Sequence, residues 1–326
     1  MPNATQRRVV VTDATFPALD AEERAATEAG ATFRSFQCRS EADVLDATAG
    51  ADVVLVQFAP MGASALDALG HGARVIRYGV GYDNIDLAAA ARRGVSVAYV
   101  PDYCTSEVAD HTATMILATL RKLAALDASV RRGEWTAVAT LRPTPAFSAS
   151  TIGFVGLGRI GRAVLDRLRA FGFGFLVFDP ALDERTATEL GVRRAPTLEA
   201  LLAEADLATL HVPSSATTRG MINRATLARM KPTAAIVNTA RGDLVVEADL
   251  AAALNEGGLA AAALDVFGQE PLPPASPLRS AKGLLLSPHA AWYSDTSIAR
   301  LQELAADEVR RALAGEPPRC PVPPPA

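Results

Sequence analysis

Short apolar runs rich in Val, Ile and Leu alternate with helical patterns almost from the first residue, the signature of βα units that stack strands into a parallel sheet. In the first third of the chain, runs at 8–12, 31–36, 52–57, 74–78 and 95–100 predict strands. Helical patterns at 21–29, 41–48, 63–69 and 87–93 lie between them, several ending at a glycine, as helix C-termini prefer. After Pro101, helical periodicity continues without Gly or Pro from Thr105 to Arg132, longer than an ordinary globular helix, and predicts one helix bridging two domains. A second βα series starts at Thr151, with strands predicted at 151–155, 174–178, 206–211, 234–238, 260–266 and 283–287, and a closing helix over 294–313. The tail GEPPRCPVPPPA cannot continue that helix, so a flexible or surface-draped segment is expected.

Composition narrows the class. At 326 residues the chain is long enough that two domains are the default. The 32 Lys+Arg against 36 Asp+Glu give a net charge of −4, so totals imply neither a nucleic-acid-binding face nor an anionic-lipid surface. Cys38, Cys104 and Cys320 are odd in number and match no disulfide or metal spacing, which fits a reducing compartment and therefore the cytoplasm. The N-terminal stretch lacks a signal peptide's apolar region, and no window approaches the roughly 18 apolar residues of a membrane span. Lysine occurs only at 122, 231 and 282 while alanine abounds, a base-composition effect typical of a GC-rich bacterial genome.

One motif carries chemistry by itself. The strand at 151–155 runs into Gly156-Leu157-Gly158-Arg159-Ile160-Gly161 and then a helical pattern. There Gly156 permits a tight turn, Gly158 lets the backbone approach a pyrophosphate, and Gly161 lets helix and strand pack closely. The helix N-terminus offers unpaired N–H groups and a positive dipole end to phosphates. The next strand ends at Asp179, placed to accept hydrogen bonds from ribose hydroxyls and to repel a 2′-phosphate, so NAD is expected rather than NADP. Because this fingerprint begins near mid-chain, the first 150 residues belong to something else, a substrate-facing half.

Four further segments sit at predicted strand ends: LHVPSSATTRG (210–220), VNTARGDLV (237–245), LDVFGQEP (264–271) and SPHAAWYS (287–294). In this order, behind the fingerprint, they make the chain resemble the D-isomer-specific 2-hydroxyacid dehydrogenase family over nearly its whole length. HAAWYS, YGVGYDNID and VPDYCTSEVADHT resemble most the C-terminal-binding-protein-like branch. The resemblance implies an α/β fold of two doubly wound parallel-sheet domains: a Rossmann-type NAD domain (104–292) inserted into a flavodoxin-like substrate domain (1–103 plus 293–326).

By the same resemblance His289 is the general acid/base, Glu270 its carboxylate partner and Arg241 the anchor of the substrate carboxylate. Each role is chemically apt. Imidazole titrates nearest neutrality, a neighbouring carboxylate favours imidazolium, and guanidinium matches a carboxylate in two-point geometry. Asp265 is implied as receiver of the nicotinamide carboxamide. Further cofactor contacts are implied at Arg159, Ile160, Val212, Pro213, Thr218, Thr239 and Ala240. Val80 and Gly81 are implied to complete the carboxylate pocket, while Tyr78, Cys104 and Trp292 either line it or pack beside it. Taken singly, His289 would more often be structural, Glu270 a loop carboxylate, Arg241 the cap of a strand turn and Asp265 a turn former; their joint order favours the catalytic reading. Gly268 and Gln269 depart from the family's usual acidic residue, which leaves the loop carrying Glu270 open to loosening. Trp292-Tyr293 point to an apolar or aromatic 2-keto acid. His111 reads as an interface or core residue.

The function expected is therefore NAD-dependent interconversion of a D-2-hydroxy acid and its 2-keto acid, in a homodimer joined through the helix from Thr105 to Arg132, with no metal. The alternative is an NAD(H)-gated dimeric binding protein of co-repressor type with weak or no turnover.

Overall fold

The computed structural model describes residues 6–135 and 137–323. Residues 1–5 and 324–326, at the outer ends of the substrate domain drawn from sequence and of its Pro-rich tail, lie outside the described residues. The chain divides into two compact units, one reaching to Cys104 and resuming at Ser294, the other Thr105–Tyr293.

In chain order the first unit contributes β1 (Arg8–Val11), α1 (Asp20–Glu28), β2 (Thr32–Ser35), α2 (Glu41–Thr48), β3 (Val53–Val56), α3 (Ala63–Asp67), β4 (Arg74–Arg77), α4 (Leu87–Arg93) and β5 (Ser96–Tyr99). The second unit then runs α5 (Thr105–Leu120), α6 (Leu123–Arg131), α7 (Ala137–Leu141), β6 (Thr151–Val155), α8 (Arg159–Leu168), β7 (Gly174–Phe178), α9 (Glu184–Leu190) and β8 (Arg193–Arg194). It continues with α10 (Leu198–Glu204), β9 (Leu207–Leu210), α11 (Arg224–Leu227), β10 (Ala235–Asn238), α12 (Glu247–Glu256), β11 (Ala261–Leu264) and β12 (Leu284–Leu286), before α13 (Asp295–Ala314) returns the chain to the first unit.

The first sheet has the order β2-β1-β3-β4-β5, with every strand parallel, which is the flavodoxin-like arrangement. β3 is buried on both faces, as a strand covered by helices on each side must be, and so it reads as the unbroken apolar run VVLV. Local signals fix the helices: Ser40 and Asp43 form a reciprocal capping box on α2, and Asp86 caps α4, which closes at left-handed Gly94.

The second sheet has the order β12-β11-β10-β9-β6-β7-β8, again all parallel. Strand order reverses between β6 and β9, so this is a Rossmann-type sheet whose switch point lies beside the glycine fingerprint. Apolar layers cover both faces, one built around Leu201, Leu202 and Ile236, the other around Ile116, Phe154 and Leu165.

The structure corrects one sequence expectation, adds one element and decides the form of the tail. The helix expected from Thr105 to Arg132 is two helices, broken where Lys122 turns left-handed at φ 51°. Its ammonium donates to the carbonyls of Leu141 and Pro143, partners about twenty residues away that no local pattern reveals. The edge strand β8 is two exposed arginines with no apolar run to announce it. The described part of the Pro-rich tail is ordered: Tyr99 N–H donates to Cys320 O at 3.1 Å and Val322 N–H to Val97 O at 2.9 Å, extending the free edge at β5.

Glu308 on α13 anchors that tail by accepting from the N–H groups of Arg319 and Cys320. Removing the chain after Pro318 strips this buried carboxylate of both donors. We expect a loss of roughly 1–3 kcal/mol in urea denaturation; an unchanged midpoint would show that the tail adds nothing to the sheet.

Candidate active site

The carboxyl ends of β6, β7, β9, β10, β11 and β12 bring the sequence motifs of the second unit to one edge. Gly156 leaves β6 at φ 88°, and a Cβ there would stand 2.8 Å from Val212 Cγ1 and 3.0 Å from the His211 carbonyl. Only glycine satisfies both demands. At Gly161 a Cβ would meet the Gly156 carbonyl at 2.9 Å, whereas the space before Gly158, at the N-terminus of α8, is open. Arg159 is exposed and Ile160 half-buried on the first turn of that helix. An uncovered helix start flanked by these glycines fits a pyrophosphate.

Asp179 links the glycine turn to the end of β7. One carboxylate oxygen accepts the Leu157 N–H at 2.8 Å and the other the Ala181 N–H at 2.9 Å, and each oxygen keeps a lone pair for a ribose hydroxyl. Beneath the turn, His211 stacks on Phe154 at 5.7 Å, and burial pushes its pKa down to about 3, so it is a neutral support for the loop.

The loop after β9 holds itself. Thr218 donates its hydroxyl to the Pro213 carbonyl at 2.6 Å and accepts from Ser215 N–H, so Thr218 closes the turn and its proton does not face a cofactor. Val212 is half-buried and Pro213 exposed along the same loop.

After β10, buried Asn238 organises the NTARG segment, a residue that sequence reasoning quoted but did not single out. Its side chain accepts from Ala240 N–H and donates to the Arg241 carbonyl. Thr239 shares a hydrogen bond of 2.7 Å with Thr112 of α5. Arg241 donates to the Ala240 carbonyl at 2.7 Å. At Gly242 a Cβ would fall 1.9 Å from the Phe267 carbonyl carbon, so the Arg241 loop lies directly against the loop that carries Glu270. That loop is not loose at Gly268: its N–H donates to Glu247 at 2.7 Å, and Phe267 N–H donates to Glu270 at 2.9 Å.

Asp265 differs from its expected part. It is fully buried, and its carboxylate accepts from Ser287 Oγ at 2.5 Å and from the N–H groups of Ala290 and Ala291, both at 2.9 Å. Its carbonyl accepts His289 N–H at 2.7 Å. The side chain thus folds the loop after β12, and the bland reading of a turn-forming aspartate is the one the geometry gives. The turn holds His289 at φ 52°, rare for a residue with a side chain. From it the imidazole Nδ1 meets Glu270 Oε2 at 2.6 Å. Burial alone would raise the Glu270 carboxyl. The hydrogen bond and charge of His289, the Phe267 N–H and nearby Arg241 outweigh burial and hold it below the usual value. Glu270 therefore stays anionic near neutrality.

Tyr78 is also corrected. It is buried in the first unit, its ring edge-on to Phe16 at 5.1 Å and its hydroxyl donating to Glu22 at 3.0 Å. Burial first, and then Glu22, push its pKa well above the usual phenol value. Val80 and Gly81 are half-buried in the turn after β4, where Arg77 donates to the Tyr78 carbonyl, and Cys104 is buried at the unit's boundary. Trp292 is half-buried and lies edge-on to exposed Tyr293 at 5.9 Å.

The model of the D-isomer specific 2-hydroxyacid dehydrogenase NAD-binding domain matches residues 113–291. The chain belongs to this family. Glyoxylate reductase of Korarchaeum cryptofilum is 41% identical over 246 residues, covering 75% of this chain and 74% of that protein. The TT0316 protein of Thermus thermophilus superimposes with a TM-score of 0.85 at 33% identity, over 97% of this chain and 100% of that one. An NADPH-dependent glyoxylate/hydroxypyruvate reductase of Sinorhizobium meliloti, solved with NADP and malonate, gives 0.82 at 30% identity, over 98% and 97%. This family member is an NAD-dependent oxidoreductase that interconverts a D-2-hydroxy acid and its 2-keto acid.

Tyr78→Phe tests its removal from the site. Losing the donor to buried Glu22 should cost roughly 1–3 kcal/mol of stability while KM for the keto acid stays unchanged; a raised KM with normal stability would return Tyr78 to the pocket.

Proposed function

We propose that the chain is a reductase of small 2-keto acids of the glyoxylate class, with His289 as proton donor, Glu270 as its partner and Arg241 as holder of the substrate carboxylate. The observation that carries this reading is the His289–Glu270 contact of 2.6 Å, at the same sheet edge as the glycine fingerprint. Relatives at 41% and 38% identity are both glyoxylate reductases. They favour a small substrate over the larger apolar one suggested by Trp292-Tyr293, and a branch other than the C-terminal-binding-protein-like one.

Gly156, Gly158 and Gly161 with the first turn of α8 would hold the pyrophosphate of NAD, and Asp179 the adenosine ribose. When bound, the reduced cofactor, NADH, would supply the hydride for keto-acid reduction, and NAD⁺ would accept it in the reverse direction. Arg241 holds the substrate carboxylate by charge and paired N–H groups. His289 delivers a proton from Nε2 to the carbonyl oxygen while Nδ1 stays on Glu270, and the reverse reaction runs the same path backwards.

A homodimer through α5 to α7 is supported by exposed apolar side chains along α6, α7 and the segment between them, Leu123, Val130, Trp135 and Val138, the tryptophan 91% exposed. Such a patch is costly in water and marks an interface. A cytoplasmic location accords with three free cysteines.

His289→Gln should lower kcat by roughly 10²–10⁴-fold with NAD binding intact, because only proton transfer is removed. The assay is NADH oxidation with glyoxylate, hydroxypyruvate and phenylpyruvate. Wild-type rates in the variant would sink the assignment. No wild-type turnover on any keto acid, together with NAD-dependent peptide capture, would favour the co-repressor-type alternative. Asp179→Arg should turn preference from NADH towards NADPH; an unaltered ratio of kcat/KM values removes Asp179 from the ribose site.

A further inference from the structure

His111 lies on α5, and no role described so far uses it. Its Nε2 is 3.1 Å from Ser287 Oγ and 3.7 Å from Asp265 Oδ1. Ser287 has a single hydroxyl proton, and the Asp265 carboxylate, 2.5 Å away, can only accept it. The Ser287 oxygen is then the acceptor towards His111, so that ring carries a proton on Nε2. A continuous chain results, from His111 Nε2–H to Ser287 Oγ–H to Asp265. The same carboxylate holds the N–H groups of Ala290 and Ala291, each at 2.9 Å.

We infer that His111 is a positioning residue for His289. A serine hydroxyl is a free rotor unless a second partner fixes it, and His111 aims this one at Asp265. The carboxylate is thereby set in the orientation that grips two successive amides and keeps the turn at His289 left-handed. α5 is a suitable fixed point, because its buried side chains pack into the apolar layer formed with α8 and the central strands of the sheet. Reaction geometry at His289 is thus tied to a helix that contributes no group to the chemistry.

The kinetic part of this inference rests on the proposed role of His289, whereas exchange of the Ala290 and Ala291 amides with solvent does not. His111→Phe keeps the ring's bulk without the nitrogen, His111→Gln restores an N–H donor at the same reach, and Ser287→Ala removes the link. In His111→Phe and Ser287→Ala, hydrogen exchange at both amides should quicken by roughly ten-fold and kcat should fall by a similar factor, about the effect of one hydrogen bond, with little change in KM. His111→Gln should recover most of both, and the double variant should be no slower than Ser287→Ala alone. Unchanged exchange and kcat in His111→Phe would overturn the inference. So would additive losses in the double variant, or failure of His111→Gln to recover despite wild-type melting. A wild-type protein inert on every keto acid would defeat the reading of function, and the exchange rates would still decide the chain.

Discussion

The site is assembled on one buried carboxylate. Asp265 sits at the end of β11 with no exposure, where an unsatisfied charge would be prohibitively costly. Three donors from the loop after β12 saturate it, the Ser287 hydroxyl and the N–H groups of Ala290 and Ala291. The need to satisfy that charge therefore dictates the path of the loop. It also offsets the left-handed backbone at His289, which costs a residue with a side chain about 1–2 kcal/mol. The position of the imidazole is a consequence of where Asp265 finds its hydrogen bonds.

The same device recurs along the strand ends. Asp179 collects the N–H groups of Leu157 and Ala181, and Asn238 accepts the Ala240 N–H while donating to the Arg241 carbonyl. In the first unit, Asp13 at the end of β1 gathers Gln57, Phe58 and Ala59 after β3. Parallel strands end with unpaired backbone groups, and loops that must face a ligand cannot bury themselves in apolar packing. Short polar side chains anchored on rigid strands supply the missing partners. That makes the loops preorganised without filling the space in front of them.

How much of this could be read from sequence follows from what each residue's neighbours are. Strands β6 and β7 have the bounds that their apolar runs predict, because a strand buried on both faces leaves an uninterrupted signature. The break at Lys122 and the pairing of the tail with β5 depend on partners distant in sequence, and β8 has no hydrophobic run at all. In the site, motif order placed His289, Glu270 and Arg241 at neighbouring strand ends. It could not say which way a side chain turns. Asp265 was expected to face the cofactor and Tyr78 either to line the pocket or to pack beside it, and they meet the loop's own amides and Glu22. Asn238, Ser287 and His111 act through hydrogen bonds whose partners are fixed only when the sheet is formed.

In the proposed reaction, the chemistry divides between the two members of the His289–Glu270 pair by their electrostatics. Glu270 is held below the usual carboxyl value and so cannot be the mobile proton's source near neutrality. Its constant negative charge instead holds Nδ1, and in the proposed reaction it leaves Nε2 free to face the substrate. These side chains are 29% and 31% exposed, and water therefore screens their attraction. Arg241, set against the same loop by Gly242, puts a positive charge beside this pair in a chain whose net charge is −4, which suits the anionic substrate proposed for the site.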